Sequence, residues 1–269
     1  MEVKKINLIQ FFRAVAALMV LVVHIGDYFI PIETKTGVYG VDIFFVISGF
    51  IMAHLHHDKV EPVRRFFIKR FIRIYPIYIE CLIVGILVHG LANFDIAGDL
   101  LFLSPEPEHR REMILDVAWT LSYEIWFYLI FALSMLIFGR KFYFGIFLFC
   151  LATFFRQSDS VFLSAYNYEF CFGAFLCLFF RNGIAELDLK LKIPPSMILL
   201  GEASYSLYLL HQPLLTKLGR FLHGFTDSDL WVINAFWYLV LIAAIIAISV
   251  ANHLFVERPT ISYLRKVFK

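Results

Sequence analysis

The sequence predicts an all-α protein: a polytopic transmembrane helical bundle of about eight spans with both termini cytoplasmic. Three observations carry that expectation. Hydrophobic residues make up 60% of the chain and charged residues only 17%, where soluble domains carry about 25% charged; mean hydropathy is +0.75. The apolar residues fall in runs long enough to cross a bilayer. The basic residues gather between those runs, at Lys4 and Lys5, in 59–73, at Arg140 and Lys141, in 181–192 and at the C-terminus. Eight spans with both ends inside put all five clusters on one side, as the positive-inside rule requires.

The elements follow in order. An apolar run over 8–30 comes after two lysines, and GDYFIP offers no small-residue cleavage site, so an uncleaved first span is expected. The second span, 38–55, carries Asp42 and a Ser48-Gly49 pair, small residues that let another helix approach closely. Residues 59–73 form the densest basic block, read as cytoplasmic. A third span follows over 74–91, with Pro76 in its first turn, where proline is tolerated. The polar stretch 93–116 reads as an external loop. Spans at 118–138, 142–155 and 161–180 come next, then one over 197–215 interrupted by GEAS, and a last one over 230–255. No linker or repeat divides the chain, so a single domain over 1–269 is expected.

Composition also limits partners. The net charge of +2 is uninformative because the charges are clustered. The one basic run lies where topology already demands it, so no nucleic-acid binding is expected. Cys81, Cys150, Cys171 and Cys177 lie in apolar segments without metal spacing and read as thiols packed like small hydrophobes. His54, His56 and His57 form a single cluster without converging ligands elsewhere, so no metal site is expected.

Ionisable residues inside apolar runs are the candidates for function, because burial in a bilayer is costly. Arg13 and His24 are eleven residues apart, which places them nearly on one helical face and roughly 16 Å apart along the axis. A lined cavity fits that pattern; so do an arginine snorkelling to the headgroups and a histidine bonded to a neighbouring helix. Arg70 and Arg73 share a face at i,i+3 ahead of Tyr75. Paired guanidiniums suit phosphates, while the positive-inside rule and anionic lipid account for them equally well. Glu124 lies among Trp119, Trp126 and Tyr128, either paired with a buried base or at the interface. His211 lies within its span, as a site residue or an interhelical hydrogen-bond donor.

The motifs R-x10-H (Arg13 to His24), GVDIFFVISGFI, FFIKRFIRIYP, WTLSYEIWFYL, SYSLYLLHQPL and FVERP follow one another between residues 13 and 259. In this the chain resembles the acyltransferase-3 family, integral membrane acyltransferases that modify bacterial surface and secreted glycans. It departs from that family in being shorter than most members, which have about ten helices, and the appended hydrolase-like domain that some carry is not expected.

The resemblance implies an enzyme of the inner (cytoplasmic) membrane. It would take an acyl group, most often acetyl, from cytoplasmic acyl-CoA and place it on a hydroxyl of a glycan, such as a polysaccharide of the cell envelope. Acyl-CoA would be a co-substrate, with no permanently bound cofactor. The geometry is compatible: phosphates at Arg70, Arg73 and Tyr75, the thiol arm along the first span, Arg13 near the entrance and His24 deeper. His24 would act as the base for the acceptor hydroxyl or, as the alternative, as an acyl-carrying nucleophile. Arg13 would orient the donor or stabilise charge on the thioester oxygen, and Glu124 would hold the acceptor or pair with a cation. Asp42, Ser48, Ser122, Tyr123 and His211 would line the cavity. The alternative from another class is a transporter or flippase of a sugar or lipid-linked sugar; it accounts for the buried charges but not for the paired guanidiniums or the ordered motifs.

Overall fold

The computed structural model describes residues 6–29, 36–90, 98, 113–156, 158, 160–226 and 231–268. The expected external loop at 93–116 falls almost wholly outside them. The chain builds α1 (Asn7–Phe29), α2 (Thr36–His56), α3 (Val63–His89), α4 (Trp119–Phe138), α5 (Phe142–Phe155), α6 (Asn167–Lys190), α7 (Pro195–Glu202), α8 (Ser204–Thr226), α9 (Trp231–Asn252) and α10 (Arg258–Val267), with no strand among the described residues. Six stretches among the described residues are long and apolar enough to cross a membrane, one of them the α4–α5 pair counted together. The protein is an all-α, multi-pass membrane bundle.

Two boundaries differ from expectation. The third helix begins at Val63, not near 74, so the basic block is its first turns and Pro76 lies inside it. Phe66, Ile72, Ile74 and Ile77 supply a buried stripe that carries the helix through the cationic segment. The expected span over 197–215 is divided at Ala203 into α7 and α8. Polar side chains just after that break are engaged inside the bundle, which is why this run lacks the uniform hydropathy of its neighbours.

Close packing positions the rest. The α-carbons of Gly49 on α2 and Gly173 on α6 face backbone across the interface: a Cβ at Gly49 would collide with the Phe170 carbonyl, and one at Gly173 with the Val46 carbonyl. The close approach expected from the Ser48-Gly49 pair is therefore realised. Gly201 likewise lets α7 rest on the Gln10 carbonyl of α1. Gly139, at φ +55°, turns the chain so that α5 returns along α4, with Phe131 against Phe142 and Trp126 against Phe149.

One extended core of Phe66, Phe127, Phe131, Phe142 and Phe170 fills the α2–α6 side. A second, of Ala14, Ala17, Leu21, Leu207, Leu215, Leu241 and Ile245, joins α1, α8 and α9. Leu136, Phe154, Phe155, Phe179, Leu239 and Phe255 face outward, which suits a lipid-covered perimeter.

The basic clusters converge on one end. Arg181 pairs with Asp58 at 2.8 Å, Tyr143, two residues after Lys141, hydrogen-bonds His57 at 3.1 Å, and the Leu8 amide donates to Asp188 at 2.6 Å. Arg73 reaches Glu257 in the C-terminal segment at 2.5 Å.

Candidate active site

From that basic end a cavity of about 1590 Å³ runs into the bundle, larger than the ~300–1,000 Å³ typical of small-molecule pockets. Eight arginines and lysines line it against four carboxylates: Arg13, Lys59, Arg65, Lys69, Arg70, Arg73, Arg181 and Arg265 against Asp58, Glu61, Glu124 and Asp188. Among the described residues several carboxylates are already engaged. Glu61 accepts from Lys69 and from His56 (3.1 Å), and Asp58 from Arg181. Burial works to raise the Glu61 carboxyl, but the bonds from Lys69 and His56 outweigh it and hold the group below its ordinary value. The bond from Arg181 chiefly holds Asp58 low as well. Arg65, Arg70 and Arg265 make no ion pair among the described residues, and the buried Nε of Arg70 has no partner.

Each wall has a local reason. The i,i+3 spacing of Arg70 and Arg73 puts both on the inner face of α3. Arg70 lies over the rings of Phe66 and Tyr128, 5.7 Å from each centroid, a cation–π seat that leaves the edge of its guanidinium available. Arg73 is held more fully. Its Nη1 donates to the completely buried Glu257, and its guanidinium lies 5.2 Å over the Tyr205 ring. Glu257 also accepts from Ser206 (2.8 Å) and pairs with His253 (2.9 Å). A π-helical turn, His253–Glu257, brings both of these residues inward between α9 and α10, a distortion frequent at functional sites. Tyr75 stacks on Phe71 at 4.6 Å and lies outside the lining.

At the inner end stand Arg13, Ser48, Glu124, Thr120, Tyr128, Ser204 and Tyr208. Arg13 Nε donates to Ser204 Oγ at 3.2 Å. Glu124 accepts from Tyr128 and, at 3.3 Å, from Ser48. A guanidinium and a carboxylate, neither ion-paired with the other, thus face the same space.

His24 lies on the same face of α1 as Arg13, and both meet α8: Arg13 at Ser204, His24 at His211, whose ring centroid is 5.0 Å from its own. Neither histidine is among the residues lining the cavity. Tyr208 connects the two places, since it lines the cavity and its ring lies 6.0 Å from that of His211. Its hydroxyl meets Thr120 Oγ1 (3.0 Å) and the Val117 carbonyl (2.9 Å).

Of the other expected lining residues, Ser48 is in place. Asp42 approaches Glu169 on α6. Tyr123 is buried among Phe45, Trp119 and Tyr166, and Ser122 is buried too; none of these three lines the cavity. The sequence reading did not single out Glu257, Ser206, Tyr205, Tyr208 or Arg265. A carboxylate at the end of an apolar run, in FVERP, was the available signal for the first.

Comparisons with known proteins bear on this arrangement. A family profile described as "Acyltransferase domain" matches residues 6–200. The chain is 34% identical over 113 residues to the acyltransferase MdmB of Streptomyces mycarofaciens, covering 37% of this chain and 29% of that protein. It is 36% identical over 112 residues to the exopolysaccharide production protein ExoZ of Rhizobium meliloti (strain 1021), covering 37% and 34%. A third relative, protein 2 in the picA locus of Rhizobium radiobacter, is 36% identical over 74 residues, 26% of this chain and 38% of that one. The matched stretches thus span only about a third of these relatives' lengths. No solved structure gives a significant match. The profile covers α1 to α6 and most of α7, including Arg13, His24, Arg70, Arg73 and Glu124, and on that match the chain belongs to the acyltransferase-3 family of membrane acyltransferases.

Proposed function

We propose that the protein is an O-acyltransferase of the cytoplasmic membrane that moves an acyl group, in the simplest case acetyl, from cytoplasmic acyl-CoA to a hydroxyl of a surface or secreted glycan. The observation that carries this reading is the cavity's polarity. At its mouth the guanidiniums of Arg65, Arg70 and Arg265 lack carboxylate partners among the described residues, and its inner end holds Arg13 and Glu124, with the His24–His211 pair behind the lining next to Tyr208. In a low-dielectric setting, cations without counterions suit an anionic ligand. Acyl-CoA is polyanionic at one end and carries its thioester at the tip of a flexible arm, so it matches both the charge gradient and the depth.

In this reading Arg65, Arg70 and Arg265 meet the phosphates, with Arg73 fixed between Glu257 and Tyr205 as the inner limit of the cationic zone. Arg13 orients the thioester and stabilises negative charge on its oxygen. The acyl end passes Tyr208 to reach His24, which accepts the proton of the attacking hydroxyl. Glu124 shapes the inner wall and fixes Tyr128 and Ser48. The kinship to MdmB and ExoZ, one an acyltransferase and the other an exopolysaccharide production protein by name, supports both the transfer chemistry and a glycan acceptor.

Two measurements test the proposal. Radiolabelled acetyl-CoA is expected to bind the purified protein, and mass spectrometry of surface glycans is expected to gain one acyl mass per modified unit when the gene is present. His24→Ala is expected to remove that gain while the protein still inserts and binds donor. Absence of both binding and mass gain in the wild type would overturn the reading.

A further inference from the structure

The pairing of His24 with His211 carries more than proximity. Nδ1 of His24 lies 2.8 Å from the Val20 carbonyl, and Nδ1 of His211 lies 2.6 Å from the Tyr208 carbonyl and 3.2 Å from that of Leu207. A carbonyl only accepts, so both Nδ1 atoms carry hydrogen, and in each neutral ring Nε2 is a bare acceptor. His211 is 1% exposed, and its Nε2 has no hydrogen-bond partner. Two bare acceptors cannot bond one another. The Tyr208 and Thr120 hydroxyls on that side are already engaged, because Tyr208 donates to the Val117 carbonyl and Thr120 interacts with both that carbonyl and Tyr208. A buried acceptor left unsatisfied is costly, and what is missing is a donor.

We propose that His211 is the second half of the acceptor site. The hydroxyl to be acylated donates to Nε2 of His24, and a neighbouring O–H or N–H of the same molecule donates to Nε2 of His211. The inference rests on the acyltransferase reading and adds a requirement to it: the acceptor carries a second hydrogen-bond donor beside the reacting hydroxyl, as a 1,2-diol does, and an isolated alcohol is a poor substrate. In the reaction the hydroxyl oxygen bonds to the thioester carbonyl carbon and its proton passes to His24. The C–S bond breaks and the departing thiolate takes that proton, giving ester and free thiol. His211 keeps its single proton throughout and touches the substrate as an orienting acceptor.

The test compares wild type, His24→Ala, His211→Leu and His211→Gln by glycan mass spectrometry in cells and by acetyl-CoA binding to each purified protein. Leucine fills the space without an acceptor; glutamine returns one in its side-chain carbonyl. Leucine is expected to lower acyl transfer about ten- to a hundredfold, the scale of losing a buried recognition bond, with donor binding unchanged. Glutamine is expected to recover most of the loss. Wild-type transfer by His211→Leu, parallel loss of donor binding, or a glutamine variant no better than leucine would each overturn the inference. Failure of the underlying reading is distinguishable, since the wild type itself would then neither bind acetyl-CoA nor change the glycan mass.

Discussion

Glu257 shows how a single side chain ties distant parts of this bundle together. It is fully buried and receives Arg73, Ser206 and His253 at once. Arg73 and Glu257 are 184 residues apart, so no local spacing announces their pairing, whereas the eleven-residue interval between Arg13 and His24 is legible within one helix. Removing one partner of a buried pair strands the other charge, which costs about 3–5 kcal/mol. Glu257→Gln is therefore expected to lower the melting temperature in detergent sharply. Adding Arg73→Gln should cost less than the sum of the two single changes, a coupling that a double-mutant cycle reads directly. Glu61 offers a pH-dependent contrast at the mouth. Its carboxyl is held below its ordinary value of 4.5 despite burial, by Lys69 and His56. A depressed carboxylate contributes stability that is present above its unfolded value and is lost as pH falls through the folded one. The stability difference between wild type and Glu61→Gln is thus expected to be present at pH 7 and to shrink below about pH 4.5, checked by thermal melts across that range.

Among the helices, the α2–α6 contact is the one the sequence foreshadowed most directly, through Ser48-Gly49. Its counterpart Gly173 could not be identified without the partner surface, because a helical glycine in an apolar run looks the same whether it faces backbone or lipid. Gly183, on the same helix, has open space around it. The two glycines make a matched pair. Gly173→Ala drives a methyl group into the Val46 carbonyl and must spread the helices, so a large loss of folded, monodisperse protein is expected in size-exclusion chromatography. Gly183→Ala is expected to leave stability unchanged or raise it by up to about 1 kcal/mol, the helix propensity gain. Helix existence was legible from apolar runs, but ends were not. The start of α3 was misplaced because arginine and lysine mark the membrane surface without ending a helix. The break at Ala203 was visible only as a polar interruption, and its meaning depends on Arg13 and Glu257, which the adjoining Ser204 and Ser206 meet from other helices.

For the molecule as a whole, the basic residues gather at one end, where the positive-inside rule expects them to set orientation and where they surround the mouth of the cavity. Composition made the first legible. The second required the fold, since Arg65, Arg181 and Arg265 come from three separate helices and gather only when α3, α6 and α10 are assembled. Under the proposed acyl-CoA donor, a mouth that faces the cytoplasm admits it from the side where acyl-CoA is made, and its binding is expected to weaken as salt screens the exposed cations. The orientation is tested by single cysteines in a background without the four native ones. Lys141, exposed between α4 and α5 beside the basic end, and Ser158, exposed beyond the far end of α5, lie at opposite ends of one helical hairpin. A membrane-impermeant maleimide is expected to label Ser158→Cys in intact spheroplasts and Lys141→Cys only in inverted vesicles. The reverse pattern would place the cationic mouth outside, away from cytoplasmic acyl-CoA, and the same charges would then have to serve an anionic ligand arriving from the other side.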